Sequence, residues 1–285
     1  ASQLDVLTKY ITLTYFSQIW LKHNEICYNS LMSKLDTAPY KGVRDFYPED
    51  MKIQNFIFNT WKRVVERKGY EEYSASPLEH TEIYAEKSGE EIVREQTFTF
   101  IDRGDRSVTL RPEMTPTLAR MVAGRRRGLK YPLRWFSIPN LFRYEKPQRG
   151  RKREHWQLNA DLLGVPGIEG DKEIITILYE IMKEFGAKDA DFEIRVNNCN
   201  FDDFKDLTPN VVFDESLARG QAYYTGTVFE IFDKDPENPR ALAGGGRYDN
   251  LLELFDVEAI PAVGFGMGDI TMKDFLETHK LLPNA

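Results

Sequence analysis

The chain has 285 residues, of which 41% are hydrophobic and 29% charged, and its formal net charge is −7. These values are ordinary for a globular protein. The acidic balance excludes a generally basic protein that coats nucleic acid, although it leaves room for local basic patches. Cys27 and Cys199 form no CxxC pair and the four histidines are scattered, so neither a disulfide framework nor a metal site is predicted. The cysteine usage favours a reducing cytoplasm, and no apolar run approaches the roughly 18–20 residues that span a membrane.

Hydrophobic periodicity and turn residues predict the elements of the first half of the chain. They are a helix at 51–69 ended by Gly69, a strand at 70–77, a helix at 81–87, and two hairpin strands at 97–102 and 106–111. Thr115 as a cap and Pro116 at the first helical position then predict the start of another helix. A basic run follows at 125–127.

The second half is predicted to contain more strands than helices. The elements are a strand–loop–strand at 141–164, a helix at 171–186, strands at 191–197, 211–213, 222–232 and 239–243, a turn at 244–246, a helix near 247–255, a strand at 261–267 and a helix at 270–279. Hairpin-length connections between neighbouring strands favour antiparallel pairing. The sequence therefore predicts an α+β fold with a mainly antiparallel sheet flanked by helices.

The strand–loop–strand at 141–164 carries the most polar chemistry. Side chains alternate along a strand, so Arg153, Gln157 and Asp161 share one face, as do Arg143 and Glu145. The loop between the strands contains four further cations: Lys146, Arg149, Arg151 and Lys152. Such a hairpin suits a polyphosphate held beside a small polar molecule, with Arg143 as a planar charged fork. An ordinary hairpin with a charged turn is the alternative.

Two more segments place polar or flexible groups next to glycine or proline. In LRPEMTP, Glu113 and Thr115 share a face and together suit an ammonium group, although Thr115 as a simple helix cap is the alternative. The glycines at 244–246 let the backbone approach a ligand closely, or form a plain turn. Their spacing matches neither a dinucleotide-binding loop nor a phosphate-binding P-loop.

A tyrosine pair marks another candidate segment, RGQAYYTGTVFE. Arg219 precedes a predicted strand that contains Tyr223 and Tyr224. Neighbouring strand residues face opposite ways, so one ring is placed in the core and one hydroxyl at a site. Simple packing of both rings in a core strand is the alternative.

Taken in order, these segments resemble the histidyl-tRNA synthetase family of class II aminoacyl-tRNA synthetases. The segments that carry the resemblance are PYKGVRDFYPEDM at 39–51, ASPLE at 75–79 (motif 1), LRPEMTP, the 141–164 hairpin (motif 2), RGQAYYTGTVFE and GGGRYDNL. The resemblance implies activation of L-histidine by ATP, with Mg²⁺ expected on the phosphates, followed by transfer to tRNA(His). It also implies a homodimer that works in the cytoplasm, with its interface built around motif 1.

The resemblance also implies roles for individual residues. Those implied to bind histidine are Glu113, Thr115 and Gln157 at the α-amino group, Asp161 with one of Tyr223 or Tyr224 at the imidazole, and Tyr248 as a closing residue. Those implied to bind ATP are Arg143, Glu145, Arg151, Arg153 and Arg219. Arg143 and Arg219 would act catalytically from opposite sides of the α-phosphate, where charge builds up.

Three positions depart from the pattern of this family. Asp161 stands where the family has glutamate, Ala222 where it has aspartate, and Thr271 near the usual motif 3 arginine. The missing arginine favours an alternative, the synthetase-like regulatory subunit of ATP phosphoribosyltransferase, whereas the cationic motif 2 favours a synthetase. A third alternative, an RNA-sensing pseudo-synthetase domain, has no need of a histidine pocket.

The resemblance divides the chain into two parts. Residues 1–31 are interpreted as an extension ahead of a natural start at Met32, and residues 32–285 as a class II catalytic domain. The family continues into an anticodon-binding domain, which we expect to be absent here. The stretch between Asn197 and Val212 is short, so we also expect an absent or truncated insertion domain.

Overall fold

The protein is described here from a computed structural model, which covers residues 36–84, 96–198, 200–217 and 223–283. Tyr40–Ala285 form one compact unit. The predictions for residues 1–31 and for Cys27, Cys199, Arg219 and Ala222 fall outside the described residues.

The described residues include twelve strands and four α-helices whose bounds are defined. The helices are α1 (Pro48–Arg67), α2 (Thr115–Arg125), α3 (Ile168–Glu184) and α4 (Asp269–Thr278). The strands are β1 (Glu71–Glu72), β2 (Leu78–His80), β3 (Phe98–Ile101), β4 (Ser107–Leu110), β5 (Leu133–Ser137), β6 (Asn140–Phe142), β7 (Glu154–Leu163), β8 (Phe192–Asn197), β9 (Val211–Phe213), β10 (Val228–Asp233), β11 (Ala243–Arg247) and β12 (Ala262–Gly268). None of the described helices is long and apolar enough to cross a membrane.

Nine strands form the main sheet, in the order β1-β5-β7-β12-β11-β10-β8-β9, with β6 paired to β7. Only the two outer pairs, β1 with β5 and β8 with β9, are parallel. A separate sheet of three strands has the order β2-β4-β3. The predicted α+β fold with a mainly antiparallel sheet is confirmed.

The main core lies between the sheet and helices α1, α3 and α4. On α1, Ile57, Trp61, Val64 and Val65 are fully buried, at the spacing of one helix face. On β7, the alternate residues Leu158, Ala160 and Leu162 join the same core. Since side chains alternate on a strand, Gln157, Asn159 and Asp161 point to the opposite face of the sheet.

A second core supports that opposite face. It joins α2 and the short 3₁₀ helix Leu251–Phe255 to the ends of β5, β7 and β12. Tyr223 and Tyr248 are buried members of this cluster. Two candidate site residues are therefore anchored by packing.

The structure corrects several local predictions. The glycines at 244–246 form a strand rather than a turn, because β11 pairs on both sides with β10 and β12. The helix predicted near 247–255 is only the 3₁₀ turn Leu251–Phe255. The strands predicted at 222–232 and 239–243 begin later, at Val228 and Ala243. α2 begins at Thr115, with Met114 at the N-cap, so Thr115 is not the cap residue.

Candidate active site

Glycines on two neighbouring strands form the floor of the candidate site. In the register of β11 and β12, Gly244 pairs with Gly266 and Gly246 pairs with Gly264. A Cβ atom on Gly266 would lie 1.9 Å from Nε2 of Gln157, which is far inside normal contact. Glycine inside a strand marks a place where another group approaches the backbone closely. The floor therefore lacks side chains, and this opens space above the sheet.

Polar side chains of β7 stand beside this floor. The Gln157 amide donates to Oδ1 of Asn159 at 2.8 Å, and the Asn159 amide donates to the Gln157 carbonyl at 3.1 Å. Farther along, the Tyr248 hydroxyl donates a short hydrogen bond to Oδ1 of Asp161. The internal bonds hold these side chains in place before any ligand arrives.

Asp161 is the most deeply placed carboxyl of the site. Its side chain is buried, and its second oxygen, Oδ2, has no hydrogen-bond partner. Burial raises the pKa of Asp161 to about 7, and the Tyr248 hydroxyl partly opposes that rise. A buried acceptor without a donor is costly, so a hydrogen bond donated to this oxygen would stabilise the carboxyl.

A second carboxyl faces the same space from the other side. The Tyr223 hydroxyl donates to Oε2 of Glu113 at 2.9 Å. Glu113, Thr115, Tyr223 and Tyr224 line a cavity of about 90 Å³ together with Gln157 and Asn159 of β7 and Tyr248, which follows β11. We call this space the small cavity. Its lining includes donors, acceptors and negative charge, which suits a small polar molecule that carries an ammonium group.

A larger space of about 420 Å³, the large cavity, adjoins the small one. Both are lined by Arg143, Gln157, Gly244 and Gly266. Arg143 is held by a hydrogen bond from its Nε to the Pro112 carbonyl at 2.9 Å. A fixed guanidinium therefore stands where the two spaces meet.

The loop between β6 and β7 forms one wall of the large cavity. Glu145, Gly150, Arg151 and Lys152 line it. Arg151 forms an ion pair with Glu145 at 3.0 Å, whereas Lys152 has no ion pair with any described residue. A space walled by cations favours a polyanion such as a polyphosphate.

Arg153 lies elsewhere than the face pattern predicts. Its guanidinium stacks 4.0 Å from the Tyr144 ring centre and donates to the Tyr40 hydroxyl at 2.8 Å. Its Nε donates to the Glu145 carbonyl at 3.3 Å. Arg153 is buried behind the loop and does not line the large cavity, because it precedes β7 and the strand alternation does not extend to it.

His155 lines the large cavity at the start of β7. Burial lowers the pKa of His155 to about 3, and the nearby charges of Arg143 and Arg44 add to that effect. The ring is therefore neutral at physiological pH. It offers a flat, uncharged surface beside the cations of the loop.

The structure brings most of the predicted residues together. Those that line the two cavities are Glu113, Thr115, Arg143, Glu145, Arg151, Gln157, Tyr223, Tyr224 and Tyr248. Asp161 lies beside them, bonded to Tyr248, whereas Arg153 lies outside the cavities. Arg219 is among the residues that the structure does not describe.

Other lining residues were missed by sequence reasoning. Asn159 falls on the same alternating face as Gln157 and Asp161, so the period of the strand could have found it. Glu230 and Arg240 also line the large cavity, from the far wall. Glu230 lies on β10 and is the last residue of the RGQAYYTGTVFE segment, whereas Arg240 lies in the connection after β10 and no local pattern marks it.

Comparison with known proteins identifies the family. The model of the family described as histidyl-tRNA synthetase matches residues 42–201 and 200–269. The histidine–tRNA ligase of Leptospira biflexa is 40% identical, and the match covers 88% of this chain and 76% of that protein. A crystal structure of apo S. aureus histidyl-tRNA synthetase is 27% identical with a TM-score of 0.75, over 88% of this chain and 72% of that one.

One further neighbour bears on the alternative reading. It is a Bacillus halodurans protein described as an ATP phosphoribosyltransferase regulatory subunit/histidyl-tRNA synthetase, with a TM-score of 0.72 over 88% of this chain and 85% of that one. At 21% identity this likeness shows the fold alone. The match to the ligase of Leptospira biflexa is much closer in sequence, so the regulatory alternative is not the better supported one. The chain belongs to the histidyl-tRNA synthetase family.

Proposed function

We propose that this chain activates L-histidine with ATP, giving histidyl-adenylate and pyrophosphate, and then transfers histidine to the 3′ end of tRNA(His). The family membership supports this reaction. The observation that carries it in the structure is the shared wall of the two cavities, where Arg143 and Gln157 face both spaces. A carboxylate held in the small cavity would meet a phosphate held in the large one.

Histidine would occupy the small cavity. Its α-amino group, an ammonium, would bind Glu113, Thr115 and Gln157, whose oxygens accept hydrogen bonds. Its imidazole would donate to the unpartnered oxygen of Asp161. Tyr223 and Tyr224 both line the small cavity, and one of them would contact the imidazole.

The side chain of Asp161 is one methylene shorter than the glutamate of the family pattern. Tyr248 bonds one of its oxygens, and the other oxygen is buried without a hydrogen-bond partner. Asp161 and Tyr248 together would therefore recognise the imidazole. Tyr248 would hold the Asp161 carboxyl by its hydrogen bond and would also form one wall of the small cavity.

ATP would occupy the large cavity. The histidine carboxylate would attack the α-phosphorus in line, forming a P–O bond while the bond to the pyrophosphate oxygen breaks. Arg143 would stabilise the charge on the non-bridging oxygens, since a fixed donor needs no reorganisation. We place Arg219 on the other side of the phosphate by family resemblance. Arg151 would reach the outer phosphates, with Arg153 supporting the loop from behind.

Mg²⁺ would accompany ATP. Glu145 and Glu230 line the large cavity and carry the carboxylate oxygens that this ion prefers. The described residues contain no cluster of three metal-binding side chains. That donor set fits an ion which takes most of its ligands from phosphate oxygens and water.

We further propose a cytoplasmic homodimer that binds the tRNA acceptor end. Leu78, Phe100 and Ile101 of the three-stranded sheet are 48%, 46% and 63% exposed, which supports burial against a second copy. Arg125 and Arg127 are exposed beside α2 and would contact the phosphates of the tRNA.

Histidine-dependent exchange between ATP and pyrophosphate tests the activation step directly. We expect the exchange to require histidine, and Arg143→Ala to slow it roughly 100- to 1,000-fold while histidine still binds. Charging of tRNA(His) tests the second step. Absence of exchange, together with histidine-sensitive binding to an ATP phosphoribosyltransferase, would instead support the regulatory alternative.

A further inference from the structure

The wall opposite the 146–152 loop carries a cation that no family motif accounts for. Arg240 belongs to the connection between β10 and β11 and lines the large cavity with Arg143, Arg151 and Lys152. Its Nε donates to the carbonyl of Arg149 at 3.1 Å. This bond joins the β10–β11 connection to the 146–152 loop.

The charge of Arg240 is not neutralised within the described part of the chain. Apart from the bond of Nε to Arg149, its guanidinium makes no hydrogen bond or ion pair there. Arg151 differs, because it is paired with Glu145 at 3.0 Å. Arg149 also differs, since it donates to the Asn238 side chain and does not line the large cavity. Arg240 therefore keeps its terminal donors for another partner.

Arg240 and Thr271 approach the same point of the loop. A Cβ atom on Gly150 would lie 2.6 Å from Cδ of Arg240 and 3.5 Å from Cγ2 of Thr271. Thr271 stands in the first turn of α4, and its hydroxyl lies 3.4 Å from the carbonyls of Leu242 and Gly268. The short threonine leaves the space beside Gly150 to the guanidinium arm of Arg240.

We propose that Arg240 is a phosphate-binding residue of this site and supplies, from the β10–β11 connection, the cation that position 271 lacks. It would bind the outer phosphates of ATP, because it neighbours Gly150, Arg151 and Lys152 at the loop tip. Arg143, in contrast, stands at the junction with the small cavity. The inference deepens the proposed function and rests on ATP as the ligand of the large cavity.

Direct binding of nucleotides tests this assignment without requiring turnover. The dissociation constants of Mg·ATP and of AMP, which lacks the outer phosphates, are measured by calorimetry for the natural sequence and for Arg240→Ala. We expect ATP binding to weaken about 10- to 100-fold, the range for lost hydrogen bonds to a charged group. AMP binding should stay the same.

Three further variants separate a phosphate contact from a structural role. Arg149→Ala removes a neighbouring cation that faces Asn238, and it should leave ATP affinity within about two-fold. Arg240→Lys should retain part of the affinity, because the charge remains while the planar fork is lost. Adding Thr271→Arg to Arg240→Ala should restore ATP binding, since the new arginine enters the space vacated beside Gly150.

The outcomes distinguish this inference from the function on which it rests. Unchanged ATP affinity in Arg240→Ala, or equal losses for ATP and AMP, would overturn the role of Arg240. Weakened ATP binding in that variant, without histidine-dependent exchange in the natural sequence, would support the phosphate site and overturn the activation reaction. Failure of the natural sequence to bind ATP would overturn both.

Discussion

The small and large cavities share a wall, yet they are built in different ways. The polar groups of the small cavity are largely bonded to one another, as in the pairs Gln157–Asn159, Tyr223–Glu113 and Tyr248–Asp161. The large cavity instead has cations without carboxylate partners among the described residues, namely Arg143, Lys152 and Arg240. Fixed neutral and acidic groups select a small molecule by geometry, whereas unpaired cations attract a polyanion by charge.

The difference has an energetic consequence. A preorganised pocket loses little conformational entropy when its ligand binds, but it tolerates few changes of shape. In a space lined by several cations, the loss of one charge lowers the affinity for a polyanion, and the remaining cations still bind it. We therefore expect a change of shape in the small cavity to weaken histidine binding, and the loss of one charge in the large cavity to weaken ATP binding without abolishing it.

Among changes to the small cavity, the largest expected effect comes from filling its glycine floor. In Gly266→Ala, the new methyl group would collide with the Gln157 side chain at 1.9 Å and displace it. Overpacking of this kind costs about 1–3 kcal/mol, so we expect histidine affinity to fall up to roughly 100-fold. Calorimetry with histidine measures this change.

Gly268→Ala on the same strand is the matched control. Its methyl group would meet only the Thr271 hydroxyl, at an ordinary 3.5 Å, so histidine should bind normally. Similar losses in the two variants would show that β12 is merely sensitive to any added side chain. The proposed difference between a small cavity that depends on its shape and a large cavity that depends on its charge would then be wrong.

A smaller effect is expected from Asp161→Asn. The pKa of Asp161 is raised to about 7 in the fold, above its ordinary value near 3.8. The folded protein therefore keeps a proton that the unfolded chain loses between about pH 4 and 7, and stability falls as pH rises through that window. The amide cannot ionise, so the variant should melt a few degrees higher than the natural sequence at pH 8.

The same change should weaken histidine binding about ten-fold at pH 8, because the imidazole N–H loses its carboxylate acceptor. Melting temperatures from pH 4.5 to 8 and histidine titrations measure both effects. Parallel pH profiles for the two proteins would show that Asp161 is not the group whose ionisation opposes folding. If Asp161→Asn is more stable but binds histidine poorly, the carboxyl of Asp161 lowers the stability of the fold and contributes to histidine binding.

The smallest expected effect is that of Tyr223→Phe. It removes the hydroxyl that donates to Glu113 at 2.9 Å, a bond worth about 1 kcal/mol. The KM for histidine in the exchange reaction should rise about three- to ten-fold, with the KM for ATP unchanged. Tyr70→Phe, which removes a similar bond to Glu173 away from both cavities, is the control and should change neither constant. A rise in the KM for ATP would contradict the separate roles of the two spaces.

Much of the candidate site was predictable wherever the chemistry is local. The period of a strand placed Gln157 and Asp161 on one face, and β7 has that arrangement. The turn predicted at 244–246 was wrong, because three glycines favour a turn when only the local sequence is considered. Pairing with β10 and β12 makes them a strand, because neighbouring strands satisfy the backbone groups that a turn would leave to water.

The positions of side chains beyond the ends of the strands could not be predicted from strand alternation. The alternation of β7 predicted Arg153 on the face of Gln157 and Asp161, and the family resemblance implied its place at the phosphates. Its backbone precedes the strand, however, and its side chain stacks on Tyr144. Arg240 has no motif around it, and it reaches the cavity only because the connection after β10 folds across the sheet towards Gly150.

The sequence alone determined the α+β fold, the family and nine polar residues that line the two cavities, because periodicity and motif order depend on neighbours along the chain. Only the tertiary structure decided that paired glycines form a floor, that Tyr248 fixes Asp161, and that Arg240 faces the loop. Those features depend on the register between strands and on contacts between residues far apart in sequence. The energy of such contacts arises only when the sheet is assembled, so no local pattern records them.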